Sequence, residues 1–387
     1  MKKRLLCSKS DTRIPTASFR RYLEGAWNQS NLEVVDEIFD RYISHQPDGS
    51  VLERGPEDVK HFVGEFRSAF PDLRLSSEEQ IAEGDKVVSH GTIRGTHQGE
   101  FRGMAPTGEE TEIKGMAIFR FSSEGKVVES WDSYDQLSLM RQSIEQELRM
   151  ARSIQQALLP QGLPQLEGWQ ITPYYQPARE VGGDFYDFFE LEDGLVGVVV
   201  GDATGKGIPA ALVAEATSHM LRVVAQAFGS VSPGEVLARV NETLLARIPQ
   251  NMFVTSFYAI LNPEKCTLSY ANAGHNLPYL WHGGNAQELR ARGMPLGLMA
   301  GMGYEEKEIS LEAGEAALFY SDGLVEAHDP DGEMFGFPRL RELVAEHGEE
   351  RSLGNFLLEA LYSFVGEGWE QEDDITLLTL RRAAASR

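Results

Sequence analysis

Four short segments of the chain place an aspartate where an apolar run meets a turn. They are Val181-Gly182-Gly183-Asp184-Phe185-Tyr186-Asp187, Gly201-Asp202-Ala203-Thr204-Gly205-Lys206-Gly207, Tyr320-Ser321-Asp322-Gly323 and Glu372-Asp373-Asp374-Ile375-Thr376. The second follows Val198-Val199-Val200, the third follows Ala316-Ala317-Leu318-Phe319, and the fourth precedes Leu377-Leu378. Strands of a packed sheet end at a common rim, so carboxylates far apart in sequence can meet there. Clustered carboxylates repel one another and do not all stay ionised without cations. Hard oxygen ligands suit Mg²⁺ or Mn²⁺. Glycines beside the aspartates allow close backbone approach, which brings the Ala203 carbonyl into the candidate ligand set. Any one segment also reads as an ordinary turn. Together they mark Asp184, Asp202, Asp322 and Asp373 as candidate metal ligands and catalytic residues.

Other chemistries fail on spacing. A phosphate-cradling P-loop has four residues between its glycines, then Lys and Ser or Thr. Here three residues separate Gly201 from Gly205, and Gly207 follows Lys206. No Gly-x-Ser-x-Gly nucleophile elbow and no histidine-cysteine cluster for zinc is present.

The elements that must position these residues follow from periodicity. From 165 to 382 the chain alternates apolar strands with amphipathic helices. Strands are expected at Trp169–Ala178, Leu195–Val200, Phe253–Leu261, Thr267–Ala271, Pro278–Trp281, Ala316–Tyr320 and Ile375–Leu380. Helices are expected from Pro209, after Ser232-Pro233, at Pro338–Glu346 and at Leu353–Val365. Ahead of them, residues 16–136 read as helices first, then an antiparallel sheet, a small α+β unit. Its helices carry Phe19, Tyr22, Leu23, Ala26 and Trp27, then Leu32, Val35, Ile38 and Phe39, then Val59, Phe62, Val63, Phe66 and Phe70. Thr16 is the expected first cap, and residues 1–15 read as loose. Val87, Ser89, Gly91 and Ile93 share one strand face.

Residues 137–164 link the two units. A heptad seam of Leu137, Met140, Ile144, Glu147, Ala151, Ile154 and Leu158 is apolar except at Glu147, and Pro160 ends the helix. This reads either as an amphipathic helix on its own domain or as a short coiled-coil stalk that couples the two domains and joins two copies.

The bulk properties bound the function. The chain has 387 residues, 42 % hydrophobic and 25 % charged, with a formal net charge of -23. So acidic a chain excludes the phosphate-backbone contacts of a nucleic-acid binder. Two distant cysteines, Cys7 and Cys266, fit a reducing compartment. The basic start lacks the apolar stretch of a signal peptide, and no run reaches the ~20 apolar residues of a membrane span. The expectation is a cytoplasmic protein.

The four aspartate motifs, in this order, resemble the metal-dependent protein phosphatases, in particular the bacterial SpoIIE/RsbU branch. Ala151–Pro160, Phe253–Tyr258, Tyr270–Asn276 and Met294–Gly297 are similar to that branch as well, so the resemblance spans about residues 148–382. It implies two packed antiparallel sheets flanked by helices. It also implies two divalent cations, bridged by Asp202 with help from the Ala203 carbonyl. Asp322 and Asp373 complete one site, and Asp184 holds the other largely through water. A hydroxide between the metals would attack phosphorus in line. Asp187 and Asp374 are expected to support the ligands, and Arg179 reads as a phosphate contact or a surface arginine. The implied substrate is a phosphoserine or phosphothreonine on an anti-anti-sigma-type protein.

The first unit resembles the SnoaL-like polyketide cyclases, within the wider cone-shaped α+β barrel fold. The match lies in Gly91–Phe101, Pro106-Thr107-Gly108 and Glu129–Leu137. It implies a pocket with Asp135 at the acid/base position and with His90, His97 and Trp131 as candidate lining. Behind it stand two expectations: binding of a small apolar ligand, or pairing of two chains as a homodimer. Cyclase or hydrolase chemistry in this unit, and a metal-bound but inactive binding module, are the alternative readings.

Overall fold

The computed structural model describes residues 6–7, 13–46, 48–227, 232–350 and 352–384. For residues 6, 7, 13 and 136–143 it describes the backbone alone. Two compact units emerge, residues 1–147 and 148–387.

The first unit is one seven-stranded sheet with helices against it. Its strands are β1 Leu6–Cys7, β2 Phe39–His45, β3 Val51–Arg54, β4 Arg74–Glu83, β5 Lys86–Thr96, β6 Glu110–Phe121 and β7 Val127–Tyr134. They run in the order β1-β4-β5-β6-β7-β2-β3. Helices α1 Arg13–Tyr22, α2 Glu33–Ile38 and α3 Pro56–Ala69 cover it, with a π-helical segment Leu23–Asn28 after α1. Aromatic residues dominate the core, including Phe19, Tyr22, Trp27, Phe39, Phe66 and Phe70. Two expectations change here. The first helix begins at Arg13, with Pro15 tolerated in its first turn, so Thr16 lies inside it rather than at its cap. The expected second helix stops at Ile38, and Phe39 opens a strand that pairs in parallel with β7. The sheet is therefore mixed, not purely antiparallel.

A single helix, α4 Gln136–Leu158, follows. Of the heptad seam, Ile144, Ile154 and Leu158 are exposed. The side chains of Leu137 and Met140 lie outside the described residues.

The second unit is a four-layer sandwich. Its strands are β8 Trp169–Gln176, β9 Asp184–Glu190, β10 Val196–Ala203, β11 Val254–Asn262, β12 Thr267–Ala273, β13 Tyr279–His282, β14 Asn285–Glu288, β15 Glu306–Ser310, β16 Ala316–Tyr320 and β17 Ile375–Arg382. One antiparallel sheet has the order β15-β12-β11-β10-β9 and the other β14-β13-β16-β17-β8. Side chains alternate across each strand, so each sheet buries two faces. Between the sheets lie Val198, Val200, Phe257, Phe319 and Leu378, with the Phe257 and Phe319 rings 5.6 Å apart. The outer face of the first sheet packs on α5 Ile208–Ala227 and α6 Pro233–Leu245. That of the second packs on α7 Phe337–His347 and α8 Leu353–Val365. The expected strands and helices are all present. Strands β9, β14 and β15 are additional.

Candidate functional site

Each of the four aspartates sits at a strand end on one rim of the sandwich. Asp184 is the first residue of β9, and Asp202 is next to last on β10. The register sets these two directly opposite each other. Like charges facing across adjacent strands are destabilising. The second sheet supplies the other pair. Asp322 opens a short 3₁₀ turn after β16, and Asp373 lies two residues before β17.

Hydrogen bonds lock the two sheets together at this rim. Thr376 Oγ1 on β17 donates to Asp184 Oδ2 at 2.6 Å. Asp374 accepts at 2.7 Å from Ala178 N, at 2.6 Å from Gly183 N and at 3.4 Å from Asp184 N. Its carboxylate thus holds the loop of the first motif from the opposite sheet. Gly323 permits the third motif to approach the fourth, since a Cβ there would lie 2.1 Å from the Asp374 carbonyl oxygen.

The carboxylates feel one another. Burial, with Asp202 and Asp374 nearby, holds Asp184 well above the usual carboxylate range. Asp202 is pushed up to about 8 by burial and by Asp322, Asp373 and Asp374, with Lys206 opposing. Asp322 is pushed up to about 6 by burial, then by Glu326 and Asp373. Among the described residues, no three acidic, histidine or cysteine side chains close on a single point; the cluster is open. The donors nevertheless fit a divalent cation. All are hard oxygens, and a cradle is kept clear beside them. A Cβ on Gly183 would stand 2.8 Å from the Ala203 carbonyl oxygen and 3.3 Å from Asp202 Oδ1.

The remaining candidates are placed as follows. Asp187 points to the helix side of β9, away from Asp184, where it pairs with Arg222 of α5 at 2.9 Å and a second, shorter contact. Burial raises its carboxyl and Arg222 offsets that. Arg179 is exposed on the loop before the first motif and borders a polar depression with Arg152, Tyr175 and Gln371. Two further contacts tie the motifs down, one from Gln155 outside them and one from Lys206 within the second. Gln155 of α4 is buried and exchanges hydrogen bonds with Gly182, donating to its carbonyl at 2.8 Å and accepting from its N–H at 3.1 Å. Lys206 lies 2.9 Å from Asp373.

The first unit holds a cavity of about 490 Å³. Tyr22, Trp27, Phe62 and Phe66 line it, as do Ser89, Gly91 and Ile93, the expected face of β5. The acids in its lining are Asp58, Glu65 and Asp132, and Asp135 is not among them. Ser130, Asp132 and Tyr134 share the inward parity of β7, whereas Asp135 follows the strand end and is exposed. Burial pushes Asp132 up to about 6 against a 3.1 Å hydrogen bond from Ser130. Arg54 lines the same cavity with its buried Nε unpartnered. The other expected lining residues lie elsewhere. His97 stacks on Phe70, His90 faces Glu78 at 3.6 Å, and Trp131 stacks on His45.

Comparison with known proteins agrees with this division. Residues 192–383 match the family described as Stage II sporulation protein E (SpoIIE), and residues 17–143 match the SnoaL-like polyketide cyclases. The second unit is a phosphatase-type domain of the PP2C fold. The chain therefore carries a SpoIIE-type phosphatase domain behind a SnoaL-like domain, in a family that depends on metal. It is similar to the SiaA-PP2C domain of Pseudomonas aeruginosa, with 28 % identity and a TM-score of 0.55 over 62 % of this chain and 98 % of that one. It is 31 % identical to Protein IcfG of Synechocystis over 81 % of this chain and 51 % of the relative, so it spans about half of that protein's length. It is 28 % identical to phosphoserine phosphatase RsbU of Bacillus subtilis, over 65 % of this chain and 75 % of the relative.

Proposed function

We propose that the chain is a protein serine/threonine phosphatase acting with two divalent cations, Mn²⁺ or Mg²⁺. The observation that carries this is the facing pair Asp184 and Asp202, joined at the same rim by Asp322 and Asp373 from the second sheet. Asp202 and the Ala203 carbonyl would sit between the cations, Asp322 and Asp373 on one side, Asp184 on the other. When bound, the cations would neutralise phosphoryl oxygens and acidify a water for in-line attack. The protein's own part is positional. Thr376 and Asp374 fix Asp184 and its loop, and Gly183 keeps the cradle open. Asp187 supports β9 through Arg222, and Arg179 would steer the incoming phosphate.

The substrate on this reading is a phosphorylated regulatory protein of anti-anti-sigma type, in keeping with the similarity to RsbU. The setting is cytoplasmic; among the described residues, no helix is long and apolar enough to cross a membrane. The first unit would regulate the second through a small, largely apolar ligand in its cavity. Gln155 supports that route, because it ties the helix between the units to the first motif. The exposed Ile144, Ile154 and Leu158 favour a homodimer along α4.

The test is phosphate release from a phosphoserine peptide and from para-nitrophenyl phosphate, with Mn²⁺ or Mg²⁺ against EDTA. Metal-dependent release that disappears in Asp202→Asn and Asp322→Asn is expected. Release that survives both substitutions would overturn the assignment.

A further inference from the structure

Among the described residues, Lys206 is the one cation that forms an ion pair with any of the four candidate ligand aspartates. Its Nζ lies 2.9 Å from Asp373 Oδ2 and donates to the Glu372 carbonyl at 2.6 Å. Asp373 Oδ1 meanwhile accepts from the Asp374 N–H at 2.9 Å. Both oxygens of Asp373 are therefore engaged, one by backbone and one by an ammonium.

The loop that carries Lys206 has open space around it. Gly205 and Gly207 flank it with φ of +98° and +72°, and a Cβ at either would meet nothing within 4 Å. The Lys206 side chain is 42 % exposed, so withdrawing its ammonium into water carries little desolvation penalty. A strongly hydrated point charge on a flexible stem suits a contact that must be given up.

We propose that Lys206 is a tethered counterion that competes with the divalent cation for Asp373. This rests on the metal-centre reading above. Without metal, the ammonium relieves the repulsion among the carboxylates and holds Asp373 Oδ2. When a divalent cation arrives, the two positive charges cannot share that oxygen at contact distance, and Lys206 swings out. The protein then binds metal more weakly than its carboxylates alone would, and the metal-free fold is protected. Lys206 is in this sense a positioning residue whose effect is on metal affinity.

The experiment is a Mn²⁺ titration of the full-length protein, following the free-ion paramagnetic resonance signal. Wild type, Lys206→Met, Lys206→Gln and Lys206→Arg are compared, with the melting temperature of each recorded in EDTA. Giving up a unit-charge contact at 2.9 Å in a water-like dielectric corresponds to about a tenfold change in affinity. Lys206→Met and Lys206→Gln are expected to bind Mn²⁺ about tenfold more tightly and to melt lower in EDTA, with Lys206→Arg close to wild type. Equal or weaker Mn²⁺ binding by both neutral variants overturns the proposal. Wild type that binds no Mn²⁺ overturns the metal-centre reading beneath it.

Discussion

Asp374→Ala is the most informative single perturbation of the phosphatase unit. The carboxylate is 8 % exposed and accepts two short backbone hydrogen bonds and one long one, all from the loop 178–184. Removing it leaves the N–H groups of Gly183 and Asp184 buried with no acceptor. An unmet buried donor costs about 1–3 kcal/mol, and bonds to a charged acceptor lie at the upper end. Against this, burial raises the Asp374 carboxyl despite the three N–H groups, so wild type already carries a desolvation penalty that alanine removes. The net expectation is about 3 kcal/mol. For a unit of this size, that lowers the melting temperature by about 6–12 °C. Asp374→Asn keeps one acceptor oxygen but turns an NH₂ toward a backbone N–H, and should fall between. The assay is calorimetry of the full-length protein, reading the transition that Mn²⁺ shifts, paired with Mn²⁺ affinity. Asp374→Ala melting within about 2 °C of wild type, with affinity intact, would show that the loop does not depend on this clamp.

Other tests are independent of it. Arg222→Leu strands a buried carboxylate at Asp187 and should cost about 3 kcal/mol in urea unfolding, with the Arg222→Leu/Asp187→Leu double variant recovering part of the loss. Gly183→Ala should destabilise the fold and weaken Mn²⁺ binding at least about tenfold in titration, since its Cβ would stand 2.8 Å from the Ala203 carbonyl oxygen and force the backbone apart. The metal-free protein should lose stability as pH rises. Asp322 and Asp202 have folded values of about 6 and about 8, above the unfolded carboxylate range. Their neutral forms therefore stabilise the fold fully below about pH 4, and that contribution is lost as pH climbs to about 8. Melting in EDTA from pH 5 to 9 checks this, and saturating Mn²⁺ should remove the slope. In the first unit, Asp132→Leu should raise stability at pH 8 and flatten its pH dependence, because it deletes a buried acid whose folded value of about 6 is set by burial.

What the sequence made legible follows from what is local. Each of the four candidate aspartates stands beside glycine or a second aspartate at the end of an apolar run, so the rim could be read without coordinates. The facing of Asp184 and Asp202 could not, because β9 is the run Asp-Phe-Tyr-Asp-Phe-Phe-Glu, whose acids mask its strand character. The Arg222 partner of Asp187 lies 35 residues away across a sheet and a helix, and no spacing rule links them. Gln155 and Lys206 were visible as residues, but their partners are set by tertiary folding. In the first unit the motif around Trp131 to Asp135 was found, while the inward acid was missed by three positions. Applying the two-residue alternation outward from Ser130 would have singled out Asp132. Phe39 was lost because its neighbours fit a helical period until the turn at Ile38 breaks it.

One half of the aspartate rim belongs to each sheet. Asp184 and Asp202 ride on the first, and Asp322 and Asp373 on the second. The site is thus a vernier for the sliding of one layer over the other. A shift at the Phe257–Phe319 contact between the layers would change the gap between the two aspartate pairs at the rim. On the phosphatase reading, substitutions deep in the interior would then alter the site while leaving every motif unchanged.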